Sequence, residues 1–126
     1  MHPPSALSAL AALLAEQRAI EARLHDRTPG PEEALIIGDA LLAFASREDK
    51  AFSALAPLLD PTAQQELAAE HQRIAEDLTL LDWLVRTTPD SPDVDALTTS
   101  LVRRMRLHID RDGRLLARAE ALSPPR

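Results

Sequence analysis

Apolar residues recur three and four positions apart along almost the whole chain, the spacing that gathers them on one face of a helix. A first stripe runs Leu7, Leu10, Leu14, Ile20 or Glu21, and Leu24. A second runs Ile37, Leu41, Phe44, then Phe52 or Ala51, Leu55 and Leu59. The third is Leu67, Ile74, Leu78, Leu81 and Val85, and the fourth is Leu97, Leu101, Met105, Leu115, Ala119 and Leu122. Between the stripes stand Thr28-Pro29-Gly30-Pro31, Asp60-Pro61 and the run from Thr87 to Pro92, all of which break helices. Ser5 and Asp60 suit N-caps, and Pro31 and Pro61 suit first helical positions. The pattern predicts helices over about residues 5–27, 31–59, 61–86 and 92–121, with His2-Pro3-Pro4 and the Ser-Pro-Pro-Arg end as frayed tails. Four long helices joined by short turns can only fold back on one another. The expected architecture is an all-α, up-down-up-down antiparallel four-helix bundle forming a single domain, residues 1–126.

Each stripe carries a polar residue near its middle: Gln17 in the first, Glu48 in the second, His71 in the third, His108 and Asp112 in the fourth. A histidine and an aspartate four apart on a helix project side by side, with about 5–6 Å between Cβ atoms. Burying such groups with nothing to bind costs several kcal/mol, and a metal ion is one way of offsetting that cost. Antiparallel packing brings the helix midpoints to one level, so these residues converge. A near-repeat supports the alignment: Ala15 to Leu24 resembles Ala69 to Leu78, equating Gln17 with His71, and Phe44-x-x-x-Glu48 resembles His108-x-x-x-Asp112. The chain reads as two helical hairpins related by an approximate twofold.

Composition narrows the chemistry. The chain has 126 residues, 45% apolar but only 2% aromatic, so the core is built from Leu, Ala, Ile and Val, favouring helix over strand. With no cysteine, disulfides, zinc–thiolate sites, iron–sulfur clusters and thiol catalysis are all excluded. A net charge of −6 argues against nucleic acid as the main partner, although Arg103, Arg104, Arg106, Arg111, Arg114 and Arg118 form a basic run, read as a solvated face pairing with acidic neighbours. No apolar stretch is long enough to span a membrane, and the N-terminal segment lacks a basic leader, so a cytoplasmic protein without membrane contact is expected.

Two imidazoles and two carboxylates, His71, His108, Glu48 and Asp112, suit iron, manganese or zinc, and two histidines with carboxylates leaving open positions suit non-haem ferrous iron. At these residues the chain resembles the hemerythrin-like (HHE cation-binding) family. Glu70-His71-Gln72-Arg73-Ile74 is similar to that family's third-helix element, Leu107-His108-Ile109-Asp110-Arg111-Asp112 to its fourth, and Glu48-Asp49-Lys50-Ala51-Phe52-Ser53-Ala54-Leu55 to the stretch holding its bridging carboxylate. The resemblance implies a di-iron bundle. The departures imply less: Gln17 and Phe44 stand where the first and second helices of the family offer histidine, and Ala75 gives no further third-helix ligand. The expected metal set is therefore half a site, His71, His108, Asp112 and Glu48 around one ion, with Gln17 and Phe44 beside it, Gln17 hydrogen bonding or coordinating weakly and Phe44 filling vacated space. Reversible oxygen carriage needs two irons and does not transfer.

Three functions follow as alternatives. One is a metal-binding module acting in metal or oxygen sensing, storage or the response to O₂ and peroxide. Another is a non-haem iron oxidase or peroxidase, which requires a pocket reaching mid-bundle past Ala40, Ala45 or Ala75. The last is a metal-free interaction protein whose polar centre is a satisfied hydrogen-bond network. Elsewhere, His25 reads as a surface residue at a helix C-terminus, Gly113 as a tolerated surface glycine, and Trp83 as an end-plug of the core or a dimer contact. Ala6, Ala11, Ala12 and Ala15 offer a face on which a homodimer could pack.

Overall fold

Three of the four helices start at a proline, because a residue without an N–H loses nothing where the helix has no acceptor for it. The structure, a computed structural model, describes residues 6–26, 28–55 and 60–122. Its helices are α1 (Ala6–Asp26), α2 (Pro31–Leu55), α3 (Pro61–Thr87) and α4 (Pro92–Leu122). Asp60 caps α3 by accepting a 3.0 Å hydrogen bond from the Thr62 N–H, and the Ser91 hydroxyl accepts from the Asp93 N–H at 3.2 Å at the start of α4. Glu32 and Glu33 in the first turn of α2, and Asp93 and Asp95 in that of α4, face the positive ends of their helix dipoles. The C-terminal end of α1 is closed from across the bundle, where Arg106 Nε donates to the Leu24 carbonyl at 2.8 Å. The Ser5 cap, the end of the second helix at Leu59 and both tails lie outside the described residues.

The four helices form a bundle with no strand among the described residues. Along α2 and α3, Gly38 faces Leu78 while Glu48 faces His71. Along α3 and α4, Glu70 meets His108 and Arg111 while Asp77 meets Arg104. In both pairs the contacts run in opposite senses along the two helices. A Cβ on Gly38 would run into the Leu78 side chain, so this glycine sets how closely α2 and α3 approach.

Among the described residues the core is aliphatic with one aromatic: Leu24, Ile37, Leu41, Phe44, Leu67, Ile74, Leu81, Leu101, Met105, Ile109 and Leu116 are all but sealed from solvent. Helix α4 touches each of the other three, and its buried face is correspondingly broad. Val94, Val102, Ile109 and Leu116 are buried together with Leu101 and Met105, whereas the stripe read from the sequence traced one edge of that face and left Leu97 and Leu115 only half-buried. No helix among the described residues is long and apolar enough to cross a membrane.

Two surface expectations change. Trp83 is 54% exposed and plugs nothing. Gly113 is not a free surface glycine: a Cβ there would lie 2.5 Å from Gln17 Nε2, so its bare backbone makes room for the Gln17 amide between α1 and α4.

Candidate functional site

Four ligand-type side chains from three helices meet in the middle of the bundle. Glu48 on α2 and Asp112 on α4 are completely buried, His108 on α4 is nearly so, and His71 on α3 keeps 12% of its side chain exposed. The imidazoles of His71 and His108 stand edge to face with centroids 4.5 Å apart and planes inclined by 70°. His71 Nε2 is 3.7 Å from Glu48 Oε1, beyond hydrogen-bond range. Six buried polar atoms of these four residues have no hydrogen-bond partner: both Glu48 oxygens, both Asp112 oxygens, His71 Nε2 and His108 Nε2. Buried polar atoms are almost always satisfied in native proteins, and each orphan costs about 1–3 kcal/mol, so six at one place need a physical account.

Burial governs the protons here. It pushes the Glu48 carboxyl up to about 11, with hydrogen bonding to Asp112 and the charges of Asp112 and Asp49 adding to the effect. Burial raises Asp112 as well, opposed by its hydrogen bond to Glu48 and by His108. His71 is pushed down to about 4, first by burial and then by the neighbouring His108, with Glu70 opposing. The low-dielectric core thus favours neutral groups: a proton on Glu48 shared with Asp112, and an uncharged His71 with a free lone pair. The orphaned carboxyl oxygens and the hydrogen bond between the two carboxyls are compatible on one condition. As carboxylates neither has a donor, and all four oxygens are left without a partner; a proton held by Glu48 is the one donor that could join the pair.

The second nitrogen of His108 is anchored. Nδ1 lies against Glu70 Oε2, and Arg111 Nη1 lies against the other oxygen of the same carboxylate. A carboxylate held by a guanidinium can only accept, so Nδ1 carries the proton and donates to Glu70. Nε2 is then turned into the cluster, where it has no partner. Such a carboxylate behind an imidazole fixes the ring's orientation, as it does behind metal-bound histidines. Glu70 was visible in the sequence as the neighbour of His71, yet nothing there indicates that it serves His108. The only local signal is Arg111, one turn beyond His108 on the same helix.

Gln17 is buried but engaged elsewhere: its Nε2 donates to the Ile109 carbonyl at 2.9 Å and to Glu21 Oε2 at 3.0 Å. Phe44, 1% exposed, packs one turn before Glu48 on α2 as part of the core. Of the expected basic face, Arg104 pairs with Asp77 at 3.1 Å and Arg111 with Glu70. His25 lies outside the cluster, 3.3 Å from Asp110.

Two observations bear on a metal in opposite directions. The orphaned donors are of the right kind for a divalent cation, an imidazole pair with two carboxylates. Against this, among the described residues no group of three or more His, Asp or Glu side chains is arranged so as to hold a metal ion. The shortfall is partly legible in the His71–Glu48 separation. Two donors sharing one ion at about 2.1 Å lie about 3.0–3.4 Å apart, a few tenths of an ångström closer than the 3.7 Å seen. Access is limited too. Ala45 is buried and Ala40 half-buried, while Ala75 lines surface pockets of about 500 and 320 Å³, neither of which has any of the four cluster residues in its lining. Compared with family models, curated proteins and solved structures, the chain matches none.

Proposed function

We propose that this bundle is a reduced, hemerythrin-like metal-binding module that takes one divalent ion on His71, His108, Glu48 and Asp112 and serves metal or oxygen sensing, storage or a redox response. Iron fits the donor set best, and zinc and manganese also match it. The observation carrying this reading is the six unpartnered polar atoms converging in the bundle core, an arrangement that is expensive unless something positively charged satisfies them. His108 contributes a lone pair of fixed direction, with Glu70 and Arg111 holding its ring from behind. Glu48 and Asp112 would release their shared proton on binding and supply the compensating negative charge. His71, uncharged at neutral pH and at the solvent edge, needs to lose no proton. An iron bound there would supply redox chemistry toward O₂ or peroxide.

The test is elemental analysis after anaerobic reconstitution with ferrous iron, together with thermal melts in metal and in chelator. Near one equivalent of metal is expected. Saturation at 100 times the dissociation constant raises stability by about 2.7 kcal/mol, or about 10 °C in melting temperature for a domain this size. His108→Ala should remain helical by circular dichroism and lose the metal; unchanged metal content in that variant would refute the assignment.

A metal-free scaffold acting as an interaction protein is the second reading, favoured by the absence of a closed ligand group among the described residues and by the carboxyl pair's capacity to share a proton. Identical melting curves in ferrous iron, zinc, manganese and chelator would select it.

A further inference from the structure

Outside the Glu70–His108 contact, the seam between α3 and α4 opens into a groove of about 290 Å³. Its walls carry four guanidiniums, Arg73 from α3 and Arg103, Arg104 and Arg111 from α4, and one carboxylate, Glu70, which Arg111 already holds. On α4, Ser100, Arg103, Arg104, Leu107 and Arg111 follow one another at helical spacing and form one face. The contacts Glu70–Arg111 and Asp77–Arg104 bracket Arg73 and set it opposite Leu107. Arg73 and Arg103 thus line the groove from opposite helices, about one turn apart in level, with the exposed apolar side chain of Leu107 also in its lining.

Two of the four cations are already used. Arg104 pairs with Asp77, while Arg111 holds Glu70 and lies 3.9 Å from Glu66. Arg73 and Arg103 have no acidic partner among the described residues, although the chain carries a net charge of −6 and acidic side chains are plentiful elsewhere. Two unpaired guanidiniums facing one concavity repel each other and are relieved by an anion that both can grip. Each guanidinium presents parallel N–H donors that match two oxygens of a phosphoryl group, so a tetrahedral dianion can engage both forks at once, which a single carboxylate cannot. The net acidic character of the chain disfavours a long polyanion such as nucleic acid.

We infer that the α3–α4 groove binds a phosphate or diphosphate group through Arg73 and Arg103, with Ser100 and Arg111 at its margins and Leu107 beneath the organic part of the ligand. This inference is independent of any metal at the bundle centre.

Calorimetric titration of inorganic pyrophosphate into the full chain at physiological ionic strength tests it, with a parallel flotation assay on phosphatidylcholine vesicles with and without a phosphoinositide. The expected result is a dissociation constant below about 1 mM for pyrophosphate. Arg73→Gln with Arg103→Gln should weaken it at least about tenfold, since even one of the charge-assisted hydrogen bonds removed is worth that much, with helicity retained. Arg86→Gln, whose side chain pairs with Asp82 away from the groove, should bind as the parent does. Capture by phosphoinositide vesicles alone, lost in the double variant, would identify a lipid headgroup as the source of the phosphate. Binding to neither probe, or binding that survives the double variant, overturns the inference.

Discussion

Helix α4 carries two polar inclusions on adjacent faces, and they are solved in different ways. At the α1 seam, the Gln17 amide reaches α4, donates to the Ile109 carbonyl and to Glu21, and rests against the bare backbone of Gly113. One residue before Ile109 and one before Gly113, His108 and Asp112 point into the cluster with Glu48 and His71, where six atoms lack partners. The first inclusion is closed: its donors are used and its space is cut to fit. The second is anchored from behind through Glu70 yet left open at the front. A satisfied buried amide needs no ligand; an unsatisfied pair of carboxyls and imidazoles has a use only for a proton or a cation.

The largest way to break this contrast is to remove the open inclusion. Glu48→Met with Asp112→Val replaces two buried carboxyls by apolar groups of similar size. In chelator it should stabilise the protein by about 1–4 kcal/mol, measured by urea denaturation, while abolishing metal uptake. A destabilised double variant would mean that the carboxyls have partners beyond each other.

Acidity gives the next test. In chelator, folded Glu48 keeps its proton up to about pH 11, whereas in the unfolded chain it loses it near 4.5. Its folded value is raised, so the stability it contributes is complete below pH 4.5 and drains away as pH climbs toward 11. His71 has the opposite sign: its folded value of about 4 lies below the unfolded 6.5, so stability rises with pH between those values. The two oppose each other from pH 4.5 to 6.5, and above 6.5 the Glu48 trend stands unopposed. Stability should then fall with a slope approaching about 1.4 kcal/mol per pH unit, and Glu48→Gln should flatten it. Bound metal should reverse the trend, because its ligands must be deprotonated.

The smallest effect probes the closed inclusion. Gly113→Ala should cost about 1–2 kcal/mol by forcing the Gln17 amide out of its place. The same change in a Gln17→Ala background should instead gain about 1 kcal/mol from helix propensity. Equal effects in both backgrounds would show that Gly113 and Gln17 are uncoupled.

What could be read before folding was what is local. Asp60-Pro61 marks the start of α3 because the cap and its Thr62 partner are two residues apart, and the third helix overran its expected end by a single residue, to Thr87. The four cluster residues were found because a polar side chain inside an apolar stripe is visible within one helix. Glu70 as the support of His108, and Gly113 as the seat of Gln17, depend on which residues of different helices lie level, and a stripe carries no such register. The broad face of α4 was underestimated for a related reason: a stripe assumes one neighbour, and α4 has three.

The exposure of Trp83 has a practical consequence. It is the sole tryptophan in a chain with no tyrosine, so nearly all intrinsic fluorescence comes from one indole on the outer side of α3. Its emission will be that of a solvated ring before and after denaturation, and a flat fluorescence trace during unfolding will not signify a resistant protein. A blue shift with rising protein concentration, by contrast, will report a second molecule covering that side of the bundle.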